Sequence, residues 1–192
     1  MTKSVGVVAF ALGSLAAAAG AQTNDELLAA SRAASAQLVQ QLGAELKQEL
    51  ARGGPEGAIA VCREVAPEIA GRLSRQSGAR VARVSLKTRN PLLGTPDAWE
   101  QAVLADFDRR AAAGEKPETL EYSEAVTEPQ GRYFRYMKAI PVQPLCLSCH
   151  GTDAMVAPEV AQRLQSEYPH DRARGYTLGQ IRGGVTIKRP LD

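Results

Sequence analysis

Apolar residues recur every three or four positions along some stretches of the chain and every second position along others, and this change of period lays out the elements. Thr23 and Glu26 stand at the spacing of a capping box, in which each side chain bonds the other residue's backbone amide. Leu38, Leu42, Leu46 and Leu50 then recur at four-residue steps, which predicts a long amphipathic helix. Gly53-Gly54-Pro55 is expected to end it. The next stretch, AIAVCREVAPEIAGRLS, places Ile59, Cys62, Ala66, Ile69 and Leu73 along one helix face, so Cys62 turns inward. Pro67 offers no amide hydrogen to the carbonyl of Arg63 and its ring crowds the same turn, which predicts a kink beside Cys62.

The period becomes two from Arg80 to Leu86, with Ala82, Val84 and Leu86 on one side of a strand. After a loop holding Pro91 and Gly94, Thr95-Pro96 reads as the cap and first turn of another helix. Trp99, Val103 and Phe107 form its buried stripe and Gly114 closes it. Thr119 to Thr127 and Arg132 to Ile140 alternate again around Glu128-Pro129-Gln130-Gly131, the pattern of a hairpin. A short helix from Pro158 to Tyr168 and a last strand from Gly184 to Lys188 complete the series. Hairpin-type strands with helices before and between them imply an α+β fold with an antiparallel sheet, flanking helices and a long N-terminal helix.

The N-terminus adds a compartment. Lys3 precedes an uncharged apolar run from Val5 to Ala19 that ends in Ala19-Gly20-Ala21, the form of a secretory signal cut after Ala21. The run is too short and too rich in alanine and glycine for a membrane anchor. Residues 1–21 are therefore expected to be a signal peptide and residues 22–192 a single exported, periplasmic domain without stable membrane insertion. Lys and Arg number 23 against 21 Asp and Glu, a near-neutral balance that argues against a nucleic-acid partner or a polybasic membrane surface. The remaining length is enough to bury a core without covalent staples.

The chemistry concentrates in PLCLSCHG, where Cys146, Cys149 and His150 form the sequence CxxCH. This is the attachment pattern of c-type haem. Its two thiols add to the two porphyrin vinyl groups, and the adjacent histidine supplies the proximal ligand to iron. One haem c is the cofactor expected. A redox CxxC pair normally opens a helix in a thioredoxin-like unit, and no βαβ pattern surrounds this stretch. A structural zinc site would need four ligands, with Cys62 and His170 completing it. The second axial ligand must come from elsewhere in the chain. Met137 sits in a strand with a packing role open to it, Met155 follows His150 too closely, and His170 lies among charged residues. Cys62 faces inward beside a kink, and an inert buried cysteine is its plain alternative. The haem propionates need cations, for which Arg89, Arg135 and Lys138 are candidates, each with a solvated face as the alternative. Tyr133 and Tyr136 are expected to pack against sheet neighbours.

Four strings in order, AIAVCREVAPEIAGRLS, VARVSLKTRNPLLGTPDAWE, PLCLSCHG and YPHDRARGYTLGQIRGGVTI, resemble the exported single-haem c-type cytochrome family that has a PAS-like sensor fold and histidine and cysteine haem ligation. The resemblance runs from about Cys62 to Pro190, with Leu92-Leu93 a departure where a polar or small residue is expected. It implies that Cys62 is the distal ligand beside His150, with Cys146 and Cys149 as the attachment residues. A thiolate ligand stabilises ferric iron and implies a low potential. The expected function is one-electron transfer or redox sensing, working with a redox partner protein or a separate signalling partner. A gas-responsive sensor is the alternative. A peroxidase-type enzyme would need an open iron position, so no catalytic residue is assigned.

Overall fold

The computed structural model describes residues 22–191, so the expected leader lies outside the described residues. Helix α1, Asn24–Ala60, opens on the capping box: Thr23 Oγ1 accepts from the Glu26 amide at 3.3 Å and Glu26 Oε2 from the Thr23 amide at 2.8 Å. At Gly54 the backbone turns to φ 63°, ψ −166°, a conformation glycine adopts without strain. The expected end is thus a kink, after which Pro55 starts a new helical run. Val61–Val65 then winds as a π turn, and α2, Ala66–Ser77, continues to a left-handed Gly78 with φ 66°. The π turn has a local cause. Pro67 leaves the Arg63 carbonyl without its usual donor, and the Ala66 amide reaches back five residues to Val61.

Strand β1, Arg80–Val84, stops short of the expected Leu86. Ser85 turns the chain: its amide donates to Gly94 O at 3.1 Å and its hydroxyl bonds Lys87 O and Arg182 O at 2.9 and 2.8 Å. Leu86 is left 40% exposed. The short helix α3, Pro91–Gly94, follows, and the Thr95 hydroxyl closes it on Pro91 O. Helix α4, Ala98–Ala112, therefore starts two residues later than Thr95-Pro96, at a capping box between Asp97 and Glu100. Strands β2, Glu121–Glu128, and β3, Gly131–Pro141, form the expected hairpin with Glu128 opposite Gly131. After the cysteine motif come α6, Pro158–Glu167, preceded by the single-turn α5, Leu147–His150, and then β4, Ile181–Pro190. The sheet runs β1-β4-β3-β2 and every pair is antiparallel. The molecule is the α+β fold with a long N-terminal helix.

Both faces of the sheet are covered. On one, Leu27 and Leu38 of α1 and Ile69 and Leu73 of α2 pack on Phe134, Tyr136, Val185 and Ile187. On the other, Val103, Leu104 and Phe107 of α4 meet Val84, Met137, Ala139 and Ile181. Full burial of a side chain such as Phe107 contributes about 1.5–3 kcal/mol. This second layer also takes Arg135, which is not free to serve a cofactor. It is 1% exposed, bonds Asp97 at 2.7 Å and Glu128 at 2.8 Å, approaches Glu100 at 3.4 Å and lies 4.4 Å over the Trp99 ring. Lys138 is likewise committed, to Glu118 O at 2.6 Å. Met137 is wholly buried as a packing residue. Tyr136 is buried too, with its hydroxyl donating to Glu121 at 2.9 Å.

Candidate functional site

The end of β3 is pinned to the start of β4, since the Val142 amide donates to Gln180 O at 2.8 Å and the Gly179 amide to Val142 O at 3.1 Å. From this anchor Pro144–Cys146 forms a 3₁₀ turn that runs directly into α5. CxxCH is thus wound into helical backbone, with Cys146 and Cys149 three residues apart on one side. Gly151 ends the turn because nothing larger fits: an added Cβ would lie 2.5 Å from Leu147 O and 2.9 Å from Met155 Cβ. Two further amides clasp the segment from across the site, Tyr176 on His150 O and Gly175 on Gly151 O, both at 2.9 Å.

The same crossing strand of chain orients the imidazole. His150 Nδ1 lies 2.7 Å from Ala173 O; a carbonyl only accepts, so Nδ1 carries the hydrogen and Nε2 keeps its lone pair. Such a backbone partner on the remote nitrogen is what a ligating histidine ordinarily has. Tyr176 stands edge-on to the ring at 6.3 Å, and Arg182 Nε approaches Nε2 at 3.4 Å. Burial first, then the charges of Arg182 and Arg89, push the imidazole well below its ordinary pKa, so it is neutral.

Arg89 belongs to the same cluster, with its donors aimed at protein. It is 8% exposed and pairs with Asp171 at 3.1 Å, donates to Cys149 O at 2.5 Å and reaches Ala173 O at 3.4 Å. Asp171 in turn accepts from the Ala173 amide at 2.8 Å. Arg89 and Asp171 therefore buckle the cysteine turn to the segment that holds His150.

Cys62 lies in the π turn that follows α1. Ile59, three residues before it on α1, packs with Val156, Val160, Leu164 and Tyr168, and Cys149 lies against this group. Burial chiefly pushes the Cys149 thiol up, Arg89 pulls it down, and Cys62 adds to the rise. Tyr168 is raised by burial and then by Cys62. All three cysteines are free and partly buried. Of the other candidates, His170 is exposed and Met155 is 50% exposed. Among the described residues no group of three or more His, Cys, Asp or Glu is placed to hold a metal ion, so the four-ligand zinc site is not assembled. Two thiols one turn apart, a neutral imidazole with Nε2 unprotonated and a further thiol nearby fit a haem c, which takes at most two axial donors from the chain.

The residues that sequence reasoning missed are Asp171, Ala173, Tyr176 and Arg182. Their signal lies in DRARGYTLGQIRGG, where clustered glycines mark close backbone approach. A Cβ on Gly183 would meet Val84 O at 2.3 Å, so glycine there lets β4 lie tight against the end of β1 and sets Arg182 beside Ser85. A cleft of about 830 Å³ opens next to this point and is lined by Ser85, Lys87, Leu104, Asp108 and Tyr176.

The Tll0287-like family (Tll0287) matches residues 15–190, and the chain belongs to it. Among solved structures it is similar to the crystal structure of the cyanobacterial heme-protein Tll0287, with 25% identity, a TM-score of 0.61, and coverage of 88% of this chain and 97% of that one. None of the curated proteins matches.

Proposed function

We propose that this chain is an exported c-type cytochrome that carries one haem, attached through thioether bonds to Cys146 and Cys149 and ligated by His150 Nε2 and the Cys62 thiolate. The observation that carries the reading is the 2.7 Å contact of His150 Nδ1 with Ala173 O, on the turn that presents two free thiols. It presents the imidazole as a neutral donor in a fixed orientation. The solved relative is a heme-protein by its title, which supports the same cofactor here. When bound, haem supplies a one-electron ferric/ferrous couple.

The chain's own residues then do the rest. Ala173 and Tyr176 hold the histidine, Arg89 and Asp171 lock the attachment turn, and the π turn brings Cys62 toward it. A thiolate favours ferric iron, so the potential is low compared with a methionine-ligated haem. Were His150 and Cys62 both to hold the iron, no position would be left open for a substrate, and the role we assign is one-electron transfer with a redox partner protein rather than catalysis. The second reading is a redox sensor on a PAS-like sheet that releases Cys62 on reduction and signals through a separate partner. The π turn favours it, since such turns recur at functional sites. Export rests on the leader pattern of residues 1–21; among the described residues no helix is long and apolar enough to cross a membrane.

The test is expression with a haem-maturation apparatus, followed by intact mass, absorption and electron paramagnetic resonance of the oxidised protein beside Cys62→Ala. The expected result is one covalent haem and a low-spin spectrum that changes in the variant. A polypeptide-only mass refutes the haem, and identical spectra take the thiolate off the iron. Retention of the same ligands after reduction selects the carrier, and loss of the thiolate selects the sensor.

A further inference from the structure

The cleft of about 830 Å³ beside Ser85 lies on the α4 side of the sheet, where Leu104 and Ile181 belong to the core layer. None of Cys62, Cys146, Cys149 and His150 lines it. Its size is that of a small-molecule pocket, and its floor is apolar, made by Leu104, Ile181 and the buried Tyr176. Two further leucines line it and remain in contact with water, Leu86 at 40% and Leu178 at 57% exposure. Leu86 is the residue that the two-residue period assigns to β1 and that the turn at Ser85 releases, whereas Leu178 comes from the segment before β4. A single exposed leucine is ordinary, but two from separate segments lining one hollow mark a surface that an apolar ligand would cover.

The charges give that ligand its sign. Lys87, Lys116, Asp108 and Glu115 are the charged side chains of the lining. Glu115 is taken by Arg110, at 2.8 and 2.5 Å. Neither the Asp108 carboxylate nor the Lys116 ammonium has a hydrogen bond or an ion pair among the described residues. The Lys87 ammonium sits 4.9 Å over the Tyr176 ring and acts on Asp108 without an ion pair between them. Two cations against one anion leave a single positive charge over an apolar floor.

We propose that this cleft binds a small monocarboxylate with an apolar body of medium chain length. Its carboxylate lies between Lys87 and Lys116, and its body covers Leu86, Leu104 and Leu178. A dicarboxylate sets a second charge against the apolar floor, and a cationic amphiphile meets two ammonium groups, so both are disfavoured. Tyr176 is the wall shared with the neighbouring site: its ring lines the cleft while its amide donates to His150 O at 2.9 Å. An occupant therefore touches the residue that clasps the histidine, yet binding here requires no haem.

The experiment is calorimetric titration of the purified protein with sodium octanoate, sodium succinate and octylammonium chloride, repeated on Lys87→Gln, Lys116→Gln, the double lysine variant, Asp108→Asn and Leu178→Asp. All four positions are exposed, so the variants keep the fold, and matching melting temperatures check this. Octanoate is expected to bind one to one, and more tightly than succinate or octylammonium. Its affinity falls about threefold in each lysine variant and about tenfold in the double variant, the range of exposed ion pairs. Asp108→Asn tightens binding, because a like charge has been removed, and Leu178→Asp abolishes it. Absence of heat with octanoate overturns the proposal, as does succinate or octylammonium binding equally well. An octanoate affinity that the double lysine variant leaves unchanged, or that Asp108→Asn lowers, overturns it too. A preparation without haem defeats the earlier reading and leaves this one to the titration.

Discussion

Replacing Arg89 with methionine keeps much of the side-chain volume and removes the charge, leaving the Asp171 carboxylate buried with the Ala173 amide as its remaining hydrogen-bond donor. Both partners are nearly sealed from water, at 8% and 7% side-chain exposure and 3.1 Å apart, so solvent cannot repair the loss. Breaking a buried pair from one side costs about 3–5 kcal/mol, and the Cys149 carbonyl loses its 2.5 Å donor as well. For a domain of this size that is a fall of about 6–20 °C in melting temperature. Urea titration followed by circular dichroism reads the change as a lower midpoint at constant slope. Asp171→Leu is destabilising for the mirror-image reason. The double variant Arg89→Met with Asp171→Leu costs less than the sum of the two, because no charge is then stranded. A loss below about 1 kcal/mol in Arg89→Met, or strict additivity in the double variant, would show that the pair does not hold the cysteine turn.

Other perturbations follow from single contacts. Phe107, wholly buried between α4 and the sheet, should cost about 3–5 kcal/mol when cut to alanine, read by thermal melting, with the cavity adding to the lost burial. Gly151→Ala places a Cβ 2.5 Å from a backbone oxygen; a loss of about 1–3 kcal/mol and a shifted His150 Nδ1 proton resonance are expected, and an unmoved resonance would mean the turn absorbs the methyl. Acid should weaken the sheet. Burial pushes Asp97 up, but the Glu100 amide and Arg135 outweigh it and hold its carboxyl low, while Arg32 holds Glu121 low. Since both folded values lie below the unfolded ones, their stabilisation is complete above the ordinary carboxylate range near pH 4 and is lost as pH falls through the folded values. Urea midpoints at pH 5 and pH 3 test this, and Asp97→Asn with Glu121→Gln should flatten the difference.

Much of the fold was legible because it is written in short-range periods. The 3.6-residue and two-residue repeats mark α1, α4 and the β2–β3 hairpin, the Thr23–Glu26 pair marks a helix start, and Pro67 marks the break that became the π turn, since its missing amide acts within one turn. CxxCH was legible for the same reason: both thiols and the histidine are contiguous, so their chemistry needs no tertiary knowledge. Other features depended on which strands pair and how tightly. Arg135 looked like a cofactor cation until the sheet turned it onto the α4 face among Asp97, Glu100 and Glu128. Arg182 drew no notice, yet the approach of Gly183 to Val84 seats it on Ser85, 97 residues away in sequence, and against His150. Ala173 and Asp171 became the histidine's and Arg89's partners only because the chain after α6 crosses back over the cysteine turn. Backbone geometry sets local pattern from neighbouring residues alone, whereas the environment of a charge or a ring nitrogen is set by whatever the folded chain packs beside it.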